Sequence, residues 1–366
     1  MIPSPHRNKR PNNLKLSGLG RIISRLKVSV LPDFFLDRII SVPSLNKLFK
    51  EAKAKAAAGG GNLRGYLQTE IRGGNATNLA YGLASLSVRT SLFCIGDAFA
   101  DVATVNAPAN CQVRVIPGRT GLTVALEFPF KARIVNVMIS DVGGAAHFDG
   151  RKFNPNDISA LKESDCIALV NWSANKSGNA LARKVFAING CKARLCFLDP
   201  ADLSGAENRI KPLRKIIDEG LINVISLNEN EARILTKVLK VGRLPQRYNP
   251  HDVLRVSAGL HDALHATVDI HTPIGSVSAN NEQQAWAPVR KFVRGFVTGA
   301  GDVWDAGDII GHLIPLNADD RLRFANACAY LYLSSGRIRP PNLREVECFL
   351  LRDPESRELD LELGPR

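Results

Sequence analysis

The sequence lacks the features that mark a membrane-spanning or secreted protein. No uninterrupted apolar stretch reaches the roughly 20 residues that a membrane span needs, and the N-terminus has no apolar segment ending in small residues, as secretory signals do. The seven cysteines include no CxxC pair and are odd in number. This pattern predicts reduced thiols in a cytoplasmic protein and argues against a disulfide framework or a metal site built from cysteines.

Length and composition predict one large domain. The chain has 366 residues, 45% of them hydrophobic and 23% charged, which is enough to bury a sizeable core. The net charge of +13 is uneven, because residues 1–27 contain seven basic residues and no acidic one. We expect a flexible arm there; docking on nucleic acid through residues 1–27 is the less favoured interpretation. Residues 351–366 form a charged C-terminal tail.

Apolar, β-branched runs alternate with helical patterns along the chain. The strand-like runs are VSVL, SLFCIG, RIVNVMIS, DCIALV, RLCFLD, NVISL and ATVDIH. This alternation predicts a mainly parallel sheet with helices on both faces, which binds ligands at the carboxyl ends of its strands. The helical KLFKEAKAKAAA interrupts it, so we predict a lid insertion at about residues 38–72, with 112–140 as a second candidate.

Thr298-Gly299-Ala300-Gly301-Asp302 precedes an apolar helical segment. Small residues at a helix start let backbone N–H groups approach an anion, and the helix N-terminus adds partial positive charge. Asp302 in the first turn is placed to accept a proton from an attacking hydroxyl. The alternative is an ordinary Gly-rich turn with Asp302 as a helix cap.

Two further polar motifs open predicted helices. Gly73-Gly74-Asn75 leads to Asn78, so that paired glycines and two amides could contact a ligand. Asn228 to Glu231 follows the strand-like NVISL and could hold Mg²⁺ through water. Each could equally be a helix start with a cap. Asp33 and Asp37 follow the first strand and are candidates for binding ligand hydroxyls.

Together these motifs resemble the PfkB, or ribokinase-like, carbohydrate kinases. VTGAGDVWDAGDIIGHL resembles the second signature of that family, and GGNATNLAYGLASL resembles the first. The family's NxxE element, the aspartate after its first strand and its FANAAA helix resemble NENE, PDFFLD and FANACAYLYLSSG. The five elements occur in the family's order and cover roughly residues 28–345.

The resemblance implies a ribokinase-like three-layer α/β/α fold with a small lid, spanning about residues 28–350. It implies phosphoryl transfer from ATP, with Mg²⁺, to a hydroxyl of a sugar or nucleoside. Asp302 would be the catalytic base and the backbone of Gly299, Ala300 and Gly301 an anion hole. The substrate contacts would be Asp37, Gly73, Gly74, Asn75 and Asn78. The nucleotide contacts would be Asn228, Glu231, Thr298, Gly275 and Asn326, with Glu231 also acting on the metal through water. A homodimer formed through the lid is a further candidate.

Several departures from the family's pattern stand beside this resemblance. Phe296-Val297-Thr298 replaces the acid-Thr-Thr that precedes GAGD, so the acid associated with a monovalent cation is missing. Only Gly275 remains of the nucleotide site's TxGxxG phrase. The segment 41–61 is too helical for the usual two-strand lid. These departures keep a second hypothesis open, a kinase-derived binding or scaffold protein without catalysis that uses the basic arm.

The residues restrict the reaction class more tightly than the acceptor. A dinucleotide-binding oxidoreductase is disfavoured, because no GxGxxG follows the first strand. The acceptor stays open among sugars, sugar acids, nucleosides and phosphorylated sugars. Arg114, Arg119 and Arg133 lie where relatives add substrate contacts, and any of them could hold a carboxylate or phosphate or be a surface residue.

Overall fold

The computed structural model describes residues 19–100, 105, 107–130, 133–189, 195–290, 298–314, 316–335 and 339–352. The strands are β1 (Lys27–Leu31), β2 (Phe35–Ser41), β3 (Gln68–Gly73), β4 (Arg89–Gly96), β5 (Cys111–Pro117), β6 (Gly121–Phe130), β7 (Arg133–Asp141), β8 (Cys166–Leu169), β9 (Leu195–Leu198), β10 (Val224–Asn228), β11 (Thr267–Thr272), β12 (Gly275–Ala279) and β13 (Gln284–Pro288). The helices are α1 (Leu19–Ile23), α2 (Leu45–Ala57), α3 (Asn75–Ser85), α4 (Pro155–Lys162), α5 (Gly178–Asn189), α6 (Glu207–Asp218), α7 (Glu229–Leu239), α8 (Pro250–Leu264), α9 (Ala300–Leu313), α10 (Ala318–Ser334) and α11 (Leu343–Arg352).

Nine strands form the main sheet, in the order β13-β12-β11-β10-β9-β8-β1-β4-β5. The strands from β11 to β5 pair in parallel, whereas β12 and β13 are antiparallel. The central strands β8 and β9 are buried along their whole length, as expected for strands covered on both faces. The main sheet is therefore the parallel sheet that the alternating pattern predicts.

Helices cover both faces of the main sheet. One apolar cluster joins the sheet to α3, α9, α10 and α11, and a second joins its other face to α4, α5, α6, α7 and α8. Along β1, Val28 and Val30 belong to the first cluster and Leu31 to the second, because successive side chains of a strand point to opposite faces. The result is a three-layer α/β/α sandwich.

A second sheet of four strands, in the order β3-β2-β6-β7, forms a unit that we call the lid sheet. Its strands come from both predicted insertions, and α2 connects β2 to β3. The prediction that KLFKEAKAKAAA is helical is confirmed. The segment 41–61 is largely helical, as expected, and β2 and β3 on either side of this helix pair with each other.

The folded part of the chain begins earlier than the predicted arm boundary at residue 28. Residues 19–26 include α1, and Leu19, Ile23 and Leu26 are buried in the first apolar cluster. This corrects the arm boundary, because three apolar side chains anchor the segment to the core. Residues 1–18 and 353–366, which hold the rest of the predicted arm and most of the tail, lie outside the described residues. Among the described helices, none is long and apolar enough to cross a bilayer.

Candidate active site

The turn from β3 into α3 depends on two glycines. A Cβ at Gly73 would lie 1.9 Å from Oδ2 of Asp37, so only glycine lets that carboxyl group lie against the turn. Gly74 caps α3 with a φ of 98°, a region that favours glycine because other residues are strained there. The turn therefore places Asp37 of the lid sheet beside the start of α3.

Asp33 caps α3 from outside the helix. Its carboxylate accepts hydrogen bonds from the backbone N–H groups of Asn75 (3.1 Å) and Ala76 (3.0 Å) and from the amide of Asn171 (3.0 Å). Burial raises the pKa of Asp33, and these hydrogen bonds act in the opposite direction. Asp33 is one of the candidates for binding ligand hydroxyls; in the structure its carboxylate organises the turn.

The GAGD loop meets this turn. Gly299 caps α9 in the left-handed region with a φ of 86°, and Asp302 lies buried in the first turn of the helix. One Asp302 oxygen accepts a hydrogen bond from Nδ2 of Asn75 and the other from Nδ2 of Asn78, each at 3.0 Å. Two motifs more than 200 residues apart in sequence thus meet at the carboxyl end of the main sheet, in a region that we call the cleft.

The electrostatic environment of Asp302 favours its protonated form in the absence of a ligand. Burial raises the pKa of Asp302 well above its ordinary value, and repulsion from Asp199 and Asp33 adds to this. The amide hydrogen bonds from Asn78 and Asn75 lower the pKa but do not outweigh burial. A cation or a polar ligand in the cleft would reverse the balance.

Arg72 is a component of the site that sequence reasoning missed. Its Nη1 donates a 3.1 Å hydrogen bond to Oδ1 of Asn78, and its guanidinium lies 4.2 Å from the centre of the Tyr81 ring. Because the Asn78 oxygen is occupied by Arg72, the Asn78 NH₂ group is fixed toward Asp302. The only sequence signal for this role is a lone basic residue directly before the glycine pair.

Further buried acids surround Asp302. Asp199 follows β9, and its pKa is raised by burial and by repulsion from Asp33. Asp305, one turn after Asp302, accepts a 2.6 Å hydrogen bond from Ser226, and burial and Asp199 raise its pKa well above its ordinary value. An acid ending the strand-like RLCFLD is a usable signal for Asp199, but Asp305 lies in an apolar helical pattern without one.

Asn228 and Glu231 form a capping box at the start of α7. The backbone N–H and the Nδ2 of Asn228 donate to Glu231 at 2.8 and 2.5 Å, and Oδ1 of Asn228 accepts from the Glu231 N–H at 3.1 Å. Burial raises the pKa of Glu231 well above its ordinary value, and repulsion from Asp199 adds to this. The motif is therefore a capped helix start, which is one of the two predicted alternatives, and it also places a buried carboxyl group, that of Glu231, at the end of β10.

Asn326 is held by four hydrogen bonds within the protein. Its oxygen accepts from Ser276 (2.9 Å) and from the indole of Trp304 (2.8 Å), while its NH₂ group donates to the carbonyls of Ala287 and Pro288, both at 3.1 Å. These bonds fasten α10 to β12, β13 and α9. Its predicted contact with a nucleotide stays a prediction.

Gly275, Thr298 and Gly301 make close backbone contacts. A Cβ at Gly275 would lie 2.4 Å from the Trp286 ring, and the Thr298 carbonyl accepts a 2.9 Å hydrogen bond from Tyr332. A Cβ at Gly301 would lie 3.2 Å from the imidazole of His271, whose pKa burial lowers to about 4. A neutral imidazole therefore borders the start of α9.

Comparisons with known proteins identify the architecture. No family model matches the chain, and the search of curated proteins finds no match either. Among solved structures, adenosine kinase from Sinorhizobium meliloti has a TM-score of 0.69 at 15% identity and covers 89% of this chain and 98% of its own. A ribokinase from Arabidopsis thaliana complexed with ribose and ATP has a TM-score of 0.64 at 16% identity and covers 90% and 98%. The phosphofructokinase-2 of Escherichia coli in complex with substrates and products has a TM-score of 0.66 at 14% identity and covers 89% and 99%.

The chain has the ribokinase-like fold. The three-layer sandwich that the resemblance implies is thereby confirmed, and so is the resemblance to these kinases at the level of fold. At such identities the likeness shows the architecture and leaves the reaction to be argued from the residues.

Within the ribokinase-like fold, the predicted site residues divide into two groups. Asp37, Gly73, Gly74, Asn75 and Asn78 converge with Asp302 on one cleft through the contacts above. A second group lies on other elements and comprises Asn228, Glu231, Gly275 and Asn326. Of these, Asn326 accepts a hydrogen bond from Trp304 of α9, and Glu231 is repelled by Asp199, which also repels Asp302 of α9. Of the three candidate arginines, Arg119 pairs with Asp141 and Arg114 points into a different cavity, while the Arg133 side chain lies outside the described residues.

Proposed function

We propose that this protein is a kinase that transfers a phosphoryl group from ATP to a hydroxyl of a sugar or nucleoside. The observation that carries the proposal is the position of Asp302, held by Asn75 and Asn78 at the start of α9. The similar structures are kinases, and one of them is in complex with ribose and ATP. All three chains are covered nearly in full, so this chain has room for the same two-substrate cleft.

Asp302 acts as the general base in this proposal. A general base needs to lie within hydrogen-bond reach of the proton that it takes. The Asp302 carboxylate already accepts hydrogen bonds from the side-chain amides of Asn75 and Asn78. Burial and neighbouring acids raise its pKa, which makes its ionised form a stronger proton acceptor than an exposed carboxylate.

The first backbone N–H groups of α9 form the anion hole. The Val303 N–H is the first to bond within the helix, to the Gly299 carbonyl at 3.1 Å. The N–H groups of Ala300 and Gly301 precede it and have no intrahelical acceptor, so they can donate to the transferring phosphoryl group. A helix N-terminus also favours the negative charge that develops there.

The acceptor binds between the lid sheet and α3. Asp37, with the GG turn and the amides of Asn75 and Asn78, contacts its hydroxyls. Burial raises the pKa of Asp37 to about 6, although a hydrogen bond from Thr123 of β6 acts in the opposite direction. Since Asp37 and Thr123 are paired in register across β2 and β6, the lid sheet itself supplies one wall of the acceptor site.

The nucleotide lies on the other side of Asp302, along Thr298, Gly275, Asn228, Glu231 and Asn326. Mg²⁺ fits the acids there because carboxylate oxygens are its preferred protein ligands and it commonly keeps several waters. Glu231 and Asp199 repel each other and have raised pKa values, so a hydrated divalent cation beside them would relieve that repulsion. Glu231, whose oxygens are held by Asn228, would act through water.

A homodimer through the lid sheet is part of this proposal. The strand register places Leu122, Val124, Leu126, Val137 and Ile139 on the same face of β6 and β7, with Leu122, Val137 and Ile139 exposed. An apolar face of this kind is typical of an interface, and the molar mass in solution tests it.

We also place the protein in the cytoplasm, where its thiols would stay reduced.

Thermal denaturation with Mg-ATP tests the donor site. A ligand at 100 times its dissociation constant adds about 2.7 kcal/mol to stability, so the wild type should unfold at a clearly higher temperature with Mg-ATP than with Mg²⁺ alone. Gly301→Val should lose this shift, because a branched side chain would block approach to the anion hole. An absent shift in the wild type would instead favour the non-catalytic scaffold that uses the basic arm.

A further inference from the structure

One face of the main sheet is polar where a core would be expected. At the amino ends of β1, β4 and β5, the register places Ser29 beside Ser91 and Ser91 beside Gln112. This row faces α4 on the same side as the second apolar cluster. Strands covered by helices on both faces are ordinarily apolar throughout, so three adjacent polar residues under a helix need an explanation.

Basic residues lie on both sides of this row. Two residues closer to the amino ends of the strands, Lys27 is paired in register with Arg89. Two residues closer to the carboxyl ends, Arg114 is paired with Phe93. The Arg114 guanidinium lies 5.7 Å from the centre of the Phe93 ring. The row is thus enclosed by three cations from three neighbouring strands.

A cavity of about 550 Å³ fills the space between these strands and α4. Its size lies within the ~300–1,000 Å³ typical of small-molecule sites. Its charged lining residues are Lys27, Arg89, Arg114 and Glu163, and its polar lining residues include Ser91 and Gln112. Three cations and one acid give the lining an excess of positive charge, together with hydroxyl and amide groups.

The partners of these cations inside the protein are incomplete. Lys27 pairs with Glu163 at 2.9 Å. Arg114 donates to Oε1 of Gln112 at 3.0 Å and approaches Asp157 at 3.4 Å, and the other Asp157 oxygen caps α4 through Asn154. Among the described residues, the buried Nε of Arg114 has no acceptor. The exposed Arg89 likewise has no ion pair within the described ranges. An anionic ligand in the cavity would give the exposed Arg89 guanidinium a partner and would place an acceptor beside the Arg114 guanidinium.

We propose that this cavity binds a small organic phosphate, with its phosphate group at Arg89 and Arg114 and its hydroxyls at Ser91 and Gln112. The site is separate from the candidate active site. Lys27 lies at the amino end of the five-residue strand β1, whereas Asp33 follows its carboxyl end, and the lining of the cavity includes neither Asp33 nor Asp302. A ligand in this cavity would therefore bind alongside the substrates rather than in their place.

The competing explanation is that the cations serve only the protein. α3 and α4 end at Ser85 and Lys162, close to this edge, and cations near helix C-termini offset the partial negative charge of their last carbonyls. In that case the cavity holds only water, and no phosphate ester binds there.

Isothermal titration with ribose 5-phosphate tests the proposal, with ribose and inorganic phosphate as comparison ligands. The wild type should bind ribose 5-phosphate, and added salt should weaken the binding. Arg89→Gln should weaken it at least tenfold, and since Arg89 is exposed, the variant should keep its fold by circular dichroism. Arg114→Gln is a second variant of the cavity. Arg255→Gln is the matched control, because Arg255 is exposed on α8 and pairs with Asp252.

Gly301→Val distinguishes the cavity from the cleft. If the cleft also binds the ester, the wild type should show two sites, of which Arg89→Gln removes one and Gly301→Val the other. Binding that persists in Gly301→Val and is lost in Arg89→Gln supports the proposal, whether or not the protein is a kinase. Unchanged binding in Arg89→Gln, loss in Gly301→Val alone, or no binding by the wild type would overturn it.

Discussion

Helix α9 carries two kinds of buried acid, and the protein treats them differently. Near its C-terminus, Asp308 pairs with the buried Arg321, which also holds Asp269 at 2.9 and 3.2 Å. Burial disfavours the charge of Asp269, but Arg321 outweighs it and holds the pKa below its ordinary value. Near the N-terminus, Asp302 has only amide donors, and its pKa is raised.

This difference between the two ends of α9 indicates which buried acids belong to a ligand site. A buried acid that serves the fold has a permanent cation from the chain beside it, as Asp269 and Asp308 have Arg321; that cation lowers the pKa of Asp269, while burial still raises the pKa of Asp308. Asp302, Asp199 and Glu231 share a region in which their charges repel, and uncompensated acids at the carboxyl end of a parallel sheet are typical of a ligand site. The comparison predicts that changes at the two ends of α9 have opposite consequences.

Asp302→Asn should show the largest effect. Removing a general base lowers kcat by about 10²–10⁴-fold, while the backbone anion hole is unchanged and Mg-ATP affinity should stay near that of the wild type. The variant should lose only the stability that one amide hydrogen bond supplies, because its new NH₂ group would face the NH₂ group of Asn75 or of Asn78. Initial rates at saturating Mg-ATP measure the first expectation, and thermal unfolding measures the second. Wild-type turnover would leave Asp302 as a helix cap.

Arg321→Met should do the reverse. The substitution leaves Asp269 and Asp308 with His312 as their remaining partner, and breaking a buried ion pair costs about 3–5 kcal/mol of stability. Activity per folded molecule should change little at low temperature, because Arg321 does not reach the cleft. Chemical denaturation provides the measurement. An unaffected free energy of unfolding would contradict the idea that Arg321 neutralises this end of α9.

Arg72→Met should have an intermediate effect, a loss of about tenfold in kcat, because Asn78 would no longer be held toward Asp302. Arg72 also interacts electrostatically with Asp302, so losing its charge should move the acid limb of the kcat–pH profile upward. Arg72→Lys keeps the charge and should restore the position of that limb. A uniform loss with an unchanged pH profile would indicate a structural role alone.

Asp37→Asn should change the pH dependence of stability. The pKa of Asp37 is about 6 in the folded protein against an ordinary 3.8, so its stabilising contribution is present below pH ~4 and lost as pH rises through about 6. The substitution should remove up to about 3 kcal/mol of that decline. Asp141→Asn is the lid-sheet control, since Arg119 lowers the pKa of Asp141 to about 2. Equal slopes for wild type and Asp37→Asn would contradict the assignment.

The sequence alone predicts which loops form the site better than it predicts the side-chain contacts between them. The GG turn and the GAGD loop are predictable because each lies at a strand-to-helix junction, and the carboxyl ends of parallel strands meet at one edge. The pairing of Arg72 with Asn78 and the role of Asp33 as an external cap depend on tertiary contacts that no local pattern encodes. RIVNVMIS has the pattern of a strand, but its membership of the lid sheet depends on pairing with β6.

The central claim is tested most directly by following the phosphoryl group itself. Wild-type protein, Mg²⁺ and ATP should be incubated with single neutral sugars and nucleosides, and products identified by ³¹P nuclear magnetic resonance. We expect a new phosphate monoester signal with at least one acceptor, matched by ADP and reduced at least 100-fold in Asp302→Asn. Mg-ATP binding without any acceptor-dependent monoester, or the same monoester yield in Asp302→Asn, would contradict the account.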